Sequence, residues 1–401
     1  MYCSIWHIEA WSEIREMALA IKKNSSFRDF EVILGHPSVK TPLILPTSLK
    51  HNGALGLDLA YVQFLLSWVR SGNTTFTLSR QTPPRAVDFV GRASGLALAY
   101  LADQIFCAGD DTNLRDRFLT AASERVGNMY QGRLELTAKG PCIELAFIQP
   151  ARQEFHNALY SGTPKDLKDW KTHGELVRNR RECAALVSKC FDFFGVRSLH
   201  LRYHREKITK LLGVILHEVF RNTAEHAYLN PDGGFYAKNI RCVKFTRFSL
   251  PRNVLGNTLF SSELNQERSE EYFNYITGLR GEYERENVQF FELSIFDSGG
   301  GLARTLRRRY KYDSDLNAVA KCFEQNISSK EDHENSGEGL FRLLDAVSSL
   351  EGFLRIRTST VEGFYAPISG LSPKSTTSEY LTSGLPEVEG SLFSIVVPII
   401  F

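Results

Sequence analysis

The sequence predicts an α/β protein built from two regions, and three observations carry that prediction. Residues 1–150 alternate short apolar runs with helix-patterned stretches, and Gly or Pro marks the changes between them. At about residue 196 the pattern changes to a long amphipathic helix followed by strands. Beyond that change, a pair of glycine-rich segments stands where a strand ends and where a helix opens: FDSGGGL (296–302) and NSGEGL (335–340).

In the N-terminal region, FEVILG (30–35) and TPLILPTSL (41–49) are short apolar runs bounded by Pro and Gly, which predicts buried strands. LDLAYVQFLLSWVRSG (57–72) has apolar residues at helical spacing and stops on Gly. NTTFTLS (73–79) follows as a β-rich run, GRASGLALAYLADQIF (91–106) predicts a helix, and LELTAKGPCIELAFIQP (134–150) predicts a hairpin. Residues 151–195 are charged and helical in texture, either a connector or the completion of the N-terminal region. REKITKLLGVILHEVFRNTAEHAYL (205–229) predicts the long helix and NPDGG after it a turn. IRCVKFTRFSL (240–250), QFFELSIFDSGGGL, FLRIRTST and SLFSIVVPIIF predict strands, and polar residues 251–288 lie between the first two. The stretch 369–384 predicts a loop or hairpin tip.

Composition narrows the function classes. Hydrophobic residues at 43% and charged residues at 23% are those of an ordinary globular chain, and the formal net charge of +2 argues for neither nucleic acid nor an acidic membrane. Seven cysteines include no C-x-x-C pair, which speaks against a zinc ribbon or disulfide framework and suits a reducing cytoplasm. The N-terminal apolar stretch carries charges, unlike a signal peptide, and no window reaches the ~18 apolar residues of a membrane span.

HEVFRNTAEHA (217–227) admits three chemistries. Zinc would need H-E-x-x-H, but the fifth residue is Arg221, and His217 and His226 fall on opposite helix faces. A phosphoacceptor helix would continue H-E-x-x-x-P, whereas this one continues to Asn222 and Thr223, leaving His217 a surface or packing residue. The third reading takes Glu218 and Asn222, which share a helix face at i and i+4. A carboxylate can polarise water as a general base, and an amide oxygen can ligate Mg²⁺. Alone, that pair is as ordinary as any solvated helix face. Its order among other motifs raises it.

Asp297, at a strand end, can accept from an exocyclic amine such as adenine N6, and the glycines after it let backbone approach a flat ring. NSGEGL opens a helix whose free N–H groups suit phosphates. GSLFSIVVP (390–398) opens on Gly-Ser, whose hydroxyl can support the same base contact.

Taken in that order, residues from about 200 to 401 resemble the ATP-binding domain shared by DNA gyrase B, heat-shock chaperones, histidine kinases and mismatch-repair ATPases, the GHKL or Bergerat fold. The resemblance implies a C-terminal α/β sandwich, a mixed sheet with helices on one face, over 196–401. A smaller α/β domain (1–150) and a helical connector (151–195) would precede it. It also implies ATP and Mg²⁺ as cofactors. Asn222 would be the Mg²⁺ ligand and Glu218 the water-activating carboxylate. Asp297 would bind adenine in a pocket shaped by Gly299 and Gly301, with Ser391 in the place of the family's Thr. Gly337, Gly339 and Leu340 would form the phosphate box, and Lys330 of SSKEDH would reach a phosphate from the lid. N-x-x-E-H (222–226) is also similar to the N-box of anti-sigma serine kinases. No dimerisation helix with a phosphoacceptor histidine is recognisable, which weighs against a sensor kinase.

The strand–helix–strand of 41–79 resembles a STAS domain, with an unrelated α/β sensor as the alternative. Arg178, Arg180 and Arg181, and the basic run 307–311, are candidates for phosphate or acidic-partner contact, or solvated helix faces. The resulting expectation is an ATPase whose nucleotide state changes contacts with a protein partner or in a homodimer. The alternatives are a protein Ser or His kinase of the same fold, and a nucleotide switch without turnover.

Overall fold

The structure is a computed structural model. It describes residues 19–35, 43–49, 54–130, 142–148, 179–195, 202–226, 230, 236, 238–251, 287–308, 310–324, 339–365 and 380–399.

The first unit is parallel. Strands β1 (Leu19–Ala20), β2 (Leu43–Leu45), β3 (Thr75–Leu78) and β4 (Gln104–Cys107) pair in the order 1-2-3-4, every pair parallel. Helices α1 (Phe27–Leu34), α2 (Leu57–Arg70), α3 (Ala86–Val90) and α4 (Ala93–Leu101) lie in the connections, and α5 (Arg115–Tyr130) follows β4. Parallel neighbours need such crossovers.

Two expectations change here. FEVILG is not a strand: Ser26 and Asp29 form a capping box, and Phe30 and Ile33 bury one side of α1. The single helix expected over 91–106 stops at Leu101, and Gln104–Cys107 becomes β4, because Ala102 already has extended backbone.

The second unit is a seven-stranded sheet, β10-β9-β8-β11-β7-β6-β5, formed by β5 (Cys142–Ile148), β6 (Ile240–Pro251), β7 (Asn287–Asp297), β8 (Phe353–Ser359), β9 (Val361–Tyr365), β10 (Leu381–Thr382) and β11 (Val388–Ile399). All six pairings are antiparallel, so the sheet is not the mixed one expected. One cause is local: Thr358 pairs with Val361, and a two-residue loop joins only antiparallel strands. β5 pairs with β6 along its length, so the expected boundary at residue 150 falls within the wrong unit. Residues 134–141 and 149–150 of the expected hairpin, and 252–286 of the polar segment, lie outside the described residues.

Side-chain alternation gives the sheet two faces. On the first, Phe291, Leu293 and Ile295 of β7 align with Val397, Ile395 and Phe393 of β11. These residues are buried beneath α6 (Arg180–Phe193), α7 (Arg202–His226) and α10 (Gly339–Ser349), the last preceded in the chain by α8 (Gly301–Arg307) and α9 (Asp315–Cys322); Phe191 of α6 stacks on Phe291 at 4.5 Å. The helices pack closely. A Cβ on Gly213 of α7 would come within 2.6 Å of Ala184 of α6, so only glycine fits. Some of the expected connector is therefore structural layer: α6 belongs to the second unit, while residues 151–178 lie outside the described residues.

The second face is covered as well, contrary to the expected single helical layer. α2 lies on β11 and β7 with eleven of its side chains buried. A helix buried nearly all round must be enclosed by protein. One continuous hydrophobic cluster accordingly runs through both units.

Candidate functional site

The row of residues at the end of the first face comes from four adjacent strands. Ser391 of β11 stands directly opposite Asp297 of β7, Arg241 of β6 flanks Asp297 on its other side, and Thr358 of β8 stands opposite Ser391. Asp297 is six residues from Phe291 and so points to the face that carries α6, α7 and α10. Asp297 and Ser391 were both expected in one site, and pairing register brings them together. Arg241 and Thr358 were not foreseen: nothing in a linear sequence reveals which residues share a cross-strand row.

Glycines shape the turn around this row. Asp297 Oδ1 accepts from the Gly299 amide at 2.9 Å, and the Gly299 carbonyl accepts from the Gly390 amide at 2.9 Å. Gly301, with φ of +83°, opens helix α8 (Gly301–Arg307); a Cβ there would reach 2.8 Å from Thr358 Oγ1. Gly390, with φ of +76°, lies in the bulge before Ser391, and a Cβ there would overlap the Asp297 carbonyl. Both positions need glycine for conformation as well as space. The Leu302 amide donates to Thr358 Oγ1 at 3.0 Å, and the Thr358 and Ser391 hydroxyls are 3.3 Å apart.

Asp297 is 9% exposed. Burial pushes its carboxyl up to about 6, against the opposing pull of the Gly299 amide, Arg241, Arg70 and the Ser391 amide. At neutral pH it is an ionised acceptor held in a poorly hydrated place.

A second cluster lies on the helices of the same side. α7 presents Glu218, buried, and Asn222, half-buried, one turn apart. Gly339, the first residue of α10, faces them: a Cβ there would stand 3.1 Å from Glu218 Oε2 and 3.7 Å from Asn222 Nδ2. The expected N-box and the end of the second glycine box therefore meet. Leu340 is buried beside them in α10. Lys330 and Gly337 lie outside the described residues.

Glu218 is not free. Its Oε1 accepts from Arg180 Nε at 2.9 Å and from Arg180 Nη2, with His217 Nδ1 at 3.3 Å and Arg342 Nη1 at 4.0 Å. Burial alone would raise this carboxyl; the His217 hydrogen bond and the Arg180 pairing outweigh it and hold it down at about 2. Such a carboxylate is a weak proton acceptor. Arg180 is exposed, as a solvated helix face would have it, and also pairs with Glu218.

Asn222 is the donor expected for Mg²⁺. Mg²⁺ is commonly held by one or two carboxylates beside phosphates and water; here the expected donor is an amide, and the neighbouring Glu218 carboxylate is paired with Arg180. Among the described residues, no group of three or more His, Cys, Asp or Glu could hold a metal by itself. The lack of a side chain at Gly339 lets its backbone lie close to Glu218 and Asn222. Among the described residues no helix is long and apolar enough to cross a membrane. No family model, curated protein or solved structure matches the chain.

Proposed function

We propose that this protein binds Mg·ATP at the first face of the large sheet and hydrolyses it slowly, in the manner of a Bergerat-type ATPase. One observation carries the reading: strand register sets Ser391 against Asp297 on the side where α7 and α10 bring Asn222, Glu218 and Gly339 together. The base end is an ionised, desolvated acceptor beside a hydroxyl, suited to an exocyclic amine. The phosphate end is an amide and a carboxylate at the start of an eleven-residue helix, whose free N–H groups favour anions. Bound Mg²⁺ supplies charge neutralisation on the phosphates. Asn222 holds it, and Glu218 orients the attacking water once Arg180 has turned away.

A second reading, a nucleotide switch without turnover, is favoured by the Arg180–Glu218 pair itself, because that pair suppresses the only base assigned. Phosphate release separates the two. The ATPase reading expects slow release that Glu218→Gln lowers by about 10²-fold or more, with ATP affinity retained. Equal release from both proteins removes the catalytic role of Glu218. Label appearing on the protein band instead would establish the kinase alternative.

A further inference from the structure

The parallel-sheet unit reaches the Asp297 site through one stripe of α2. Gln63, Ser67 and Arg70 fall at i, i+4 and i+7, along one helix face. Gln63 Nε2 donates to the carbonyls of Arg357 at 3.1 Å and Glu389 at 3.2 Å, and Ser67 Oγ accepts from the Glu389 amide at 2.9 Å. Arg70 Nη1 pairs with Glu389 Oε2 at 2.7 Å and donates to the Gly299 carbonyl at 3.4 Å. All three residues thus seize the segment just before the Gly390 bulge, and Arg70 also touches the glycine loop that holds the Asp297 carboxylate.

Arg70 is itself fixed. Its guanidinium lies 3.4 Å over the Tyr236 ring, the Tyr236 hydroxyl donates to Glu389 at 3.1 Å, and Arg304 of α8 pairs with the same Glu389 at 3.0 Å. Its Nη2 is buried with no partner among the described residues. Two cations act on Asp297: Arg241 from β6, directly beside it in the cross-strand row, and Arg70 from α2, which reaches it through the Gly299 carbonyl of its loop. Glu389 is the acid that tempers Arg70.

We propose that Arg70 is a positioning residue of the Asp297 site, which makes the parallel-sheet unit integral to that site. The proposal deepens the nucleotide reading above and rests on it for the identity of the ligand. It differs from a purely structural role in one respect. A cation that supports Asp297 must change when that carboxylate loses its proton, whereas a residue that only staples two units together need not.

The test uses the full chain with Mg·ATP titrations from about pH 5 to about pH 8. Arg70→Gln is expected to weaken ATP binding about tenfold at neutral pH and to move the acid limb of the affinity curve upward. Arg70→Lys, which keeps the charge, is expected to hold the limb near the wild-type position. An unmoved limb in Arg70→Gln overturns the proposal. Should Arg70→Gln fail to fold, Ser67→Ala replaces it. Loss of the Ser67–Glu389 bond is then expected to weaken ATP binding several-fold, and wild-type affinity overturns the proposal.

A nucleotide-free measurement keeps the two ideas distinct. The Asp297 carboxyl is followed by ¹³C resonance, assigned through Asp297→Asn, in wild type and Arg70→Gln. If wild type binds no ATP, the nucleotide reading fails; an upward shift of the Asp297 titration then still sustains the Arg70 role, and an unchanged titration removes it.

Discussion

The two faces of the large sheet are both covered and differ in how much charge they bury. The first is aliphatic and aromatic through its middle, with the polar Thr358–Ser391–Asp297–Arg241 row at one end and Arg247, which donates to Gln289 and to the Phe194 carbonyl, toward the other. The second carries Lys244, Thr246, Glu292, Ser294, Ser394, Arg355 and Arg357, all buried beneath α1 and α2. Asp58 of α2 pairs with Lys244, Glu31 of α1 holds Arg357 at 2.7 Å and 3.0 Å, and the Gly56 amide donates to Glu292. The faces differ in what each must specify. The apolar face holds helices by the hydrophobic effect, which is non-directional. The polar face accepts one unit in one register, because each buried charge needs its own partner.

The largest expected effect breaks that second face. Lys244→Ala leaves Asp58 and Glu292 without their cation in a dry seam, and is expected to cost about 3–5 kcal/mol of stability by denaturant midpoint. The paired replacement Lys244→Met with Asp58→Leu should recover most of that loss. A small effect from Lys244→Ala would mean that water reaches the seam. On the first face, Leu293→Ala removes side-chain volume from the centre of the core and should cost about 2–5 kcal/mol; no second substitution of charge type should restore it.

Gly390→Ala tests the turn at the end of the first face. A methyl at φ of +76° is strained and meets the Asp297 carbonyl, so a loss of about 1–3 kcal/mol is expected, together with weaker ATP binding. Unchanged binding in a folded Gly390→Ala protein would detach the glycine bulge from the site.

The smallest effects are on pH dependence. Burial, opposed by Ser294, Lys244 and the Gly56 amide, lifts Glu292 to about 7, and Asp297 is lifted to about 6. A carboxyl raised in the folded state stabilises below its unfolded value and loses that contribution as pH rises through the folded one. Stability should therefore fall between about pH 4 and about pH 7, and Glu292→Gln should flatten the upper end of that slope in a series of unfolding midpoints. Glu218 has the opposite sign. It is lowered to about 2, so its contribution is complete above the unfolded value and disappears as pH falls from about 4.5 toward 2.

What the sequence made legible follows the range of the interactions. Glu218 with Asn222, and Asp297 with its glycines, are local patterns, and each lies on the kind of element expected. The α1 helix stands where a strand is expected, because the short apolar run FEVILG suits either element and the Ser26–Asp29 box that starts the helix lies upstream of it. Arg70, Arg241 and Thr358 were not legible, because their roles arise from pairings across tens to hundreds of residues. The same holds for β5, which joins the second unit although it adjoins the first in the chain. The antiparallel pairing throughout the sheet departs from the family resemblance, so the nucleotide reading rests on the site alone.

Mg·ATP titration of wild type against Asp297→Asn at neutral pH tests that reading most directly. The account predicts saturable binding by wild type and at least about tenfold weaker binding by the variant, with an unfolding midpoint no lower than wild type since a buried charge has been removed. Wild-type affinity in Asp297→Asn, or no binding by wild type, would contradict it.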